Sequence, residues 1–327
     1  MTEASHRPGR LGIGIIGAGR VGAVLGAALH AGAGRVGAVL GAALHAAGHA
    51  IVGVHAVSEE SRTRAEALLP EVPVLQIPEI VERSEVVLFA VPDDALESLI
   101  AGLASGGHFS SGQILIHTSG RYGIDVLGPG REVGAIGLAI HPAMTFTGLS
   151  LDLTRLRTAS FGVTAPGPFL PIAQALVVEM GGEPVPIAEG DRPLYHAALA
   201  HASNHTVTLL GQASQILASI GVDDPGELLG PLVRASVDNA LASGDSALTG
   251  PVVRGDVGTV ESHRDILRGF AAEEDAPDIG EAYLALARAS AERAHRRGAL
   301  ADESYRRILR ALALDEGSGS ESDETDQ

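Results

Sequence analysis

His201 and His205 stand four residues apart with Asn204 between them, so on a helix all three project from roughly one face. Two imidazoles there could hand a proton to a substrate oxygen while the amide orients it. Polar groups on a stretch otherwise rich in Ala and Leu need partners or a polar cleft. A harmlessly titrating surface pair is the plainer alternative. The four-residue spacing, with no carboxylate close by in sequence, does not by itself define a metal site. His196, five residues before His201, is expected to point elsewhere.

Three further groups stand where apolar runs end: Phe89-Ala90-Val91-Pro92-Asp93, His117-Thr118-Ser119-Gly120 and His141-Pro142-Ala143-Met144. In a parallel sheet the carboxyl ends of the strands line the ligand crevice, so these tips should converge. Val91, Pro92, Thr118, Ser119 and His141 then become walls of a nicotinamide pocket, although each alone is ordinary turn chemistry. The Gly- and Pro-containing connection at residues 249–259 adds Arg254, Asp256 and, just beyond it, His263. Arg254 could clamp a substrate carboxylate in a fork, while Asp256 or Thr259 could equally cap a helix.

Gly17-Ala18-Gly19-Arg20-Val21-Gly22 follows the apolar run 11–16 and opens a helix-compatible Ala/Leu stretch. Strand, glycine turn and helix in that order suit a pyrophosphate, held close to backbone at a helix N-terminus. The same 15 residues occur twice in tandem, at 17–31 and 32–46. Continued as helix, the extra copy would add about 22 Å and turn the apolar face by about 60°. Only the first copy follows the strand directly, so Gly17, Gly19, Arg20, Val21 and Gly22 are expected to form the binding loop. The second copy reads as a helix-packing surface. At the tip of the second strand, Ser58 can donate to a phosphate and Arg62 can pair with it, which favours NADP over NAD. If Glu59 is the true tip residue, the preference reverses.

The elements that would hold these groups are strands at 11–16, 50–57, 86–91, 113–117, 135–141, 161–165 and 184–188, alternating with helical segments up to residue 189. That alternation predicts an α/β fold with an N-terminal Rossmann-type parallel sheet. From residue 190 the chain reads as all-helical, beginning with one long helix over 191–220. The next helix carries the apolar stripe Leu228, Leu229, Leu232, Val233, Val237, Ala240 and Leu241. The expected organisation is a flexible 1–10, a dinucleotide domain at 11–189, a helical substrate and dimerisation domain at 190–314, and a disordered acidic tail at 315–327.

Composition narrows the chemistry further. The 327 residues include no Cys, and all 23 basic residues are Arg. Thiolate and Schiff-base catalysis are therefore excluded, as is a lysine proton donor. The net charge is −17, and discounting the six acids of the tail leaves −11. With aromatics at 3% and no basic stripe, the chain should repel nucleic acid and offers no platform for stacking bases. Arg20, His30, Arg35, His45 and His49 interrupt the long apolar stretch, so no membrane span and a cytoplasmic location are expected.

The glycine loop, Val91-Pro92-Asp93, His117-Thr118-Ser119-Gly120, His141-Pro142-Ala143-Met144-Thr145-Phe146 and the 254–263 segment together resemble the actinobacterial Rossmann-like proteins of uncharacterised function. That family is similar to the alternative type of ketopantoate reductase. The resemblance spans nearly all of residues 11–314. More distantly the chain is similar to the 6-phosphogluconate, hydroxyisobutyrate, pyrroline-5-carboxylate and prephenate dehydrogenases. It implies a dinucleotide domain followed by a helical domain that often dimerises. Many hydroxyacid dehydrogenases of the wider group carry Lys-x-x-Asn-Asn on the first long helix of the second domain, with the Lys as proton donor. The matching stretch here is His201-Ala202-Ser203-Asn204-His205, which keeps the Asn and replaces the Lys.

The resulting expectation is an NADPH-dependent reductase of a small oxo acid, acting as a homodimer on a small-molecule substrate, with NAD as the alternative cofactor and no metal. His201 or His205 would give the proton, Asn204 would orient the substrate oxygen, and Ser119 and His141 would line the pocket. Arg254, Asp256 and His263 would meet the substrate. A histidine donor predicts that turnover falls as pH rises through about 6.5, where a lysine would sustain it to about 10.4. A cyclic-imine reductase and a non-catalytic NADP(H) sensor are the alternatives.

Overall fold

The computed structural model describes residues 10–17 and 33–313. The chain divides into two compact units, Met1–Ser203 and Asn204–Gln327. In the first, seven strands form one sheet: β1 (Gly12–Ile16), β2 (Ala50–His55), β3 (Val86–Phe89), β4 (Ile114–His117), β5 (Ile136–Pro142), β6 (Ser160–Thr164) and β7 (Glu183–Pro186). Their order is β2-β1-β3-β4-β5-β6-β7. Every pairing is parallel except β5 with β6, which is antiparallel.

The inner strands are short apolar runs with both faces buried, as a sheet covered on both sides requires, whereas the edge strand β7 is largely exposed. Side chains alternate along each strand. Ile13, Val86, Leu88, Ile114, Ile116, Leu138 and Ile140 face one core, whereas Ile16, Val87, Phe89 and Leu115 face the other. The helices between them are α1 (Ala33–Ala46), α2 (Glu59–Leu68), α3 (Ile77–Arg83), α4 (Asp93–Ser105), α5 (Gly128–Glu132), α6 (Leu151–Leu156) and α7 (Leu170–Glu179). Helices α1 and α7 contribute Leu40, Leu44, Leu176 and Val177 to the first core; α3 and α4 contribute Ile80, Leu96 and Ile100 to the second.

The duplicated segment divides its duties. Gly17, from the first copy, leaves β1 with a φ of 122°, and a β-carbon there would collide with the Ala90 carbonyl. That is the tight turn only glycine makes easily. The helix that packs on β1, however, comes from the second copy. A β-carbon on Gly37 would lie 3.1 Å from the Ala90 side chain and 3.2 Å from Ile15, and one on Gly41 would strike Ile15. Gly19, Arg20, Val21 and Gly22, expected as the binding loop, lie outside the described residues.

Since the copies are identical, removing 32–46 or 17–31 gives the same chain. It should fold cooperatively, because one strand-turn-helix unit suffices, and it is expected to bind dinucleotide equally or more tightly. Loss of cooperative unfolding would show that the extra copy has become structural.

The division between units falls inside α8 (Arg192–Ser219), between Ser203 and Asn204. The second unit continues with α9 (Pro225–Ser243), α10 (Pro251–Arg254), α11 (Val257–Glu273), α12 (Pro277–Arg296) and α13 (Asp302–Ala311). Val252, Val260, Ala287, Ala291, Leu300 and Ile308 make its small core. Helix α9 buries none of its residues. Among the described residues, no helix is long and apolar enough to cross a membrane. The tail at 315–327 lies outside the described residues, as does the segment 1–9.

Candidate active site

The C-terminal edge of the sheet brings together groups from β4, β5 and the first turn of α8. His141, near the end of β5, is hydrogen bonded through Nδ1 to the Tyr195 hydroxyl at 2.8 Å, and the two rings meet edge to face. His196 packs edge-on against His141 with ring centroids 6.1 Å apart. Gly120, just past β4, lets both rings approach. A β-carbon there would come within 3.0 Å of His141 Nε2 and 2.7 Å of His196.

Beneath this cluster lies Arg192, 0% exposed. It donates to Thr164 Oγ1 at 2.7 Å and to the carbonyls of Ala139 at 2.9 Å, Gly162 at 3.0 Å and Ser119 at 3.4 Å. All four acceptors are neutral, so the guanidinium keeps its charge and imposes it on its surroundings. It also lies over the Tyr195 ring, 5.7 Å from the centroid. The nearby carboxylate of Glu189 accepts from the amides of Ile124 and Asp125.

These surroundings set the protonation states. Burial, then the charge of Arg192, then His196 and His117, push the His141 pKa down to about 3. Burial likewise raises the Tyr195 phenol, with Arg192 opposing it. Both partners of the His141–Tyr195 pair are therefore neutral around pH 7. His117 is fully buried and takes its amide partners on both nitrogens: Nε2 donates to the Gly123 carbonyl at 2.7 Å and Nδ1 accepts from the Ser119 amide at 3.2 Å. Burial lowers its pKa to about 4.

A stability prediction follows from His117. Its folded pKa lies below the unfolded value of 6.5, so the unfolded chain binds a proton that the folded chain refuses. The contribution is complete above pH 6.5 and is lost as pH falls toward about 4, by about 3 kcal/mol. Urea unfolding at several pH values should show this slope added to the one that His141, held near 3, contributes over the same range, and His117→Gln should reduce the total by the His117 share whatever its effect at neutral pH.

Ser119 Oγ accepts from the amides of Arg121 and Tyr122, so it shapes the turn. Val91 is buried, and Pro92 stands at the start of α4. The Thr118 amide donates to Phe89 O at the same edge. Ser58 caps α2, accepting from the Ser61 amide, and Arg62 Nε donates to Ala56 O at 3.5 Å. His201 and Asn204 are exposed on α8, as is His205 one turn on.

In the second unit, Arg254 ends α10 and is exposed, while Asp256 caps α11 by accepting from the Thr259 amide and hydroxyl. That capping holds the Asp256 pKa down. His263 Nδ1 meets the Tyr283 hydroxyl at 3.2 Å on the wall of a mainly apolar cleft of about 470 Å³ that also includes Ile216, Val252, Leu267 and Leu286. Sequence reasoning missed Arg192 and Tyr195 and set His196 aside. The available signal was one of only four Tyr in the chain standing next to a His and three residues after an Arg.

A doubly covered parallel sheet with a glycine turn after β1 and a polar cluster at its carboxyl edge defines a dinucleotide-type α/β domain. The comparisons agree: residues 30–142 match the model of a Rossmann-like domain, and residues 159–290 match a domain of unknown function, DUF2520. A comparison with curated protein sequences found no match.

Among solved structures, the chain is similar to a proposed NADP oxidoreductase from Bacteroides fragilis, at 19% identity over 86% of this chain and 98% of that one, with a TM-score of 0.66. It is also similar to a reductive aminase from Aspergillus terreus in complex with NADPH and ethyl levulinate, at 16% identity over 92% and 99% of the chains (TM-score 0.57). An imine reductase from Pseudomonas sp. matches at 14% identity over 93% and 100% (TM-score 0.57). At these identities the likeness establishes the fold.

Proposed function

We propose that the chain is an NADP-dependent reductase of a small, ketopantoate-like oxo acid, with NAD as the alternative cofactor. The observation that carries this reading is the His141–Tyr195 hydrogen bond at the sheet's carboxyl edge, set over the buried charge of Arg192. The turn at Gly17 and the close packing at Gly37 suit a dinucleotide, since backbone approaches there where a β-carbon would intrude. When bound, the nicotinamide supplies hydride to the substrate carbon.

The chain's residues supply the proton. His141 gives one from Nε2 to the nascent alkoxide as the Tyr195 hydroxyl replaces it at Nδ1, and the phenolate so formed faces Arg192. The proton role thus moves from His201 and His205 to His141.

The likeness to a reductive aminase and an imine reductase favours a second reading, reduction of a cyclic imine. Against it, the charge that acts most strongly on His141 is the buried cation Arg192, while the hydrogen-bonded Tyr195 is neutral before the proton moves. Such a site stabilises a developing oxyanion and disfavours an iminium cation. Following NADPH oxidation over paired oxo acids and cyclic imines should show turnover of the former. Turnover of imines alone would favour the second reading, and tight NADPH binding with no turnover would favour a sensor.

A homodimer through the helical unit is supported by α9, where Leu228, Leu232, Val237 and Leu241 are 58%, 65%, 43% and 83% exposed at helical spacing. A stripe of that kind is stable in water when a second copy covers it.

A further inference from the structure

Ser58 and Arg62, the residues that sequence suggests for a cofactor phosphate, are both engaged by α2 and the end of β2. A different pair of guanidinium groups converges nearby. Arg35, in the first turn of α1 and hence from the second copy of the duplicated segment, reaches the loop after β5 and donates from Nη1 to the Phe146 carbonyl at 3.5 Å. Its Nε is buried with no hydrogen-bond partner among the described residues. Arg64, on α2, comes to the same place. A β-carbon on Gly148 would lie 2.8 Å from Arg35 Cγ and 2.7 Å from Arg64 Nε.

The two cations are close enough to act on each other. After burial, the charge of Arg35 is the main influence lowering the Arg64 pKa, and Glu60 opposes it. Asp152 does not bridge them. It is fully buried and already accepts from the Thr147 amide, the Thr147 hydroxyl and the Gly148 amide. Those bonds hold the loop shut on its own carboxylate. Two partly buried like charges and an unsatisfied donor are costly in an empty site and favourable in one that receives an anion. A phosphate monoester, with up to two negative charges and three acceptor oxygens, fits two guanidinium forks.

We propose that Arg35 and Arg64, closed by the Phe146–Gly148 loop, form a phosphate-monoester site whose occupant is the 2′-phosphate of NADP. The assignment rests on the reading of the first unit as a dinucleotide-binding domain. It gives the second copy of the duplication a chemical role, since Arg35 is its counterpart of Arg20.

The test is calorimetric titration of the full chain with NADPH, NADH and inorganic phosphate, for wild type, Arg35→Gln and Arg64→Gln, with circular dichroism to confirm folding. Each substitution should weaken NADPH by at least about tenfold and leave NADH unchanged. Unchanged NADPH-to-NADH ratios in both variants, or a loss produced by Arg62→Gln instead, would overturn the proposal. Phosphate binding that needs Arg35 and Arg64 beside an unchanged ratio would mean a separate phosphate and would overturn the assigned occupant. If wild type binds neither dinucleotide, the cofactor reading fails by itself. The arginine site then stands only if inorganic phosphate binds wild type and neither variant.

Discussion

Replacing His141 by Gln or Tyr195 by Phe is expected to lower turnover by about 10²-fold or more while NADPH binding stays near wild type. Tyr195→Phe keeps the ring over Arg192 and against His141, so the change removes the hydroxyl that feeds Nδ1 and little else. His141→Gln keeps a hydrogen-bonding group but not one that can pass a proton between two sites. His201→Ala and His205→Ala should each leave turnover within a few-fold of wild type. The opposite pattern, large losses at 201 or 205 and none at 141 or 195, would return the proton role to the exposed face of α8.

Arg192→Met should be strongly destabilising, costing about 3–5 kcal/mol in urea unfolding. It removes every donor that satisfies the Ala139 and Gly162 carbonyls from above and the Thr164 hydroxyl from the side. Those acceptors lie on β5 and β6, across the antiparallel pair, so the same contacts tie the start of α8 to the sheet. Arg192→Lys should recover part of the loss, since one ammonium can reach some of these acceptors but cannot fork to all of them. A loss under 1 kcal/mol for Arg192→Met would mean that the strands satisfy these groups without it.

Much of the fold was legible in residue order. The seven apolar runs read as strands are the seven strands of the sheet, with ends that differ by a few residues, and the switch to helices near residue 190 is where α8 begins. Continuous burial made most of these runs readable, because a strand that packs against two cores at once is apolar on both faces. The antiparallel pairing of β5 with β6 was not readable, since nothing in a short apolar run records its direction.

The site was legible at the strand tips and obscure on the helix. His141 and Ser119 announced themselves by ending apolar runs. His201 and His205 drew notice through their four-residue spacing, but spacing identifies a shared face and says nothing about what that face meets. Tyr195 and His196, adjacent in sequence, both reach His141 because the start of α8 crosses the sheet edge there. Identical copies of a 15-residue segment carry no information about which one packs. Only the fit of Gly37 and Gly41 against Ile15 shows that the second copy forms α1.

The pH dependence of single-turnover NADPH oxidation at saturating substrate tests the proposed proton path most directly. With His141 held near 3 and Tyr195 above its usual range, the donating pair stays neutral, and the rate should be flat between about pH 5.5 and about pH 8.5. A rate that falls as pH rises through about 6.5, and loses that inflection in His201→Ala or His205→Ala, would contradict the account.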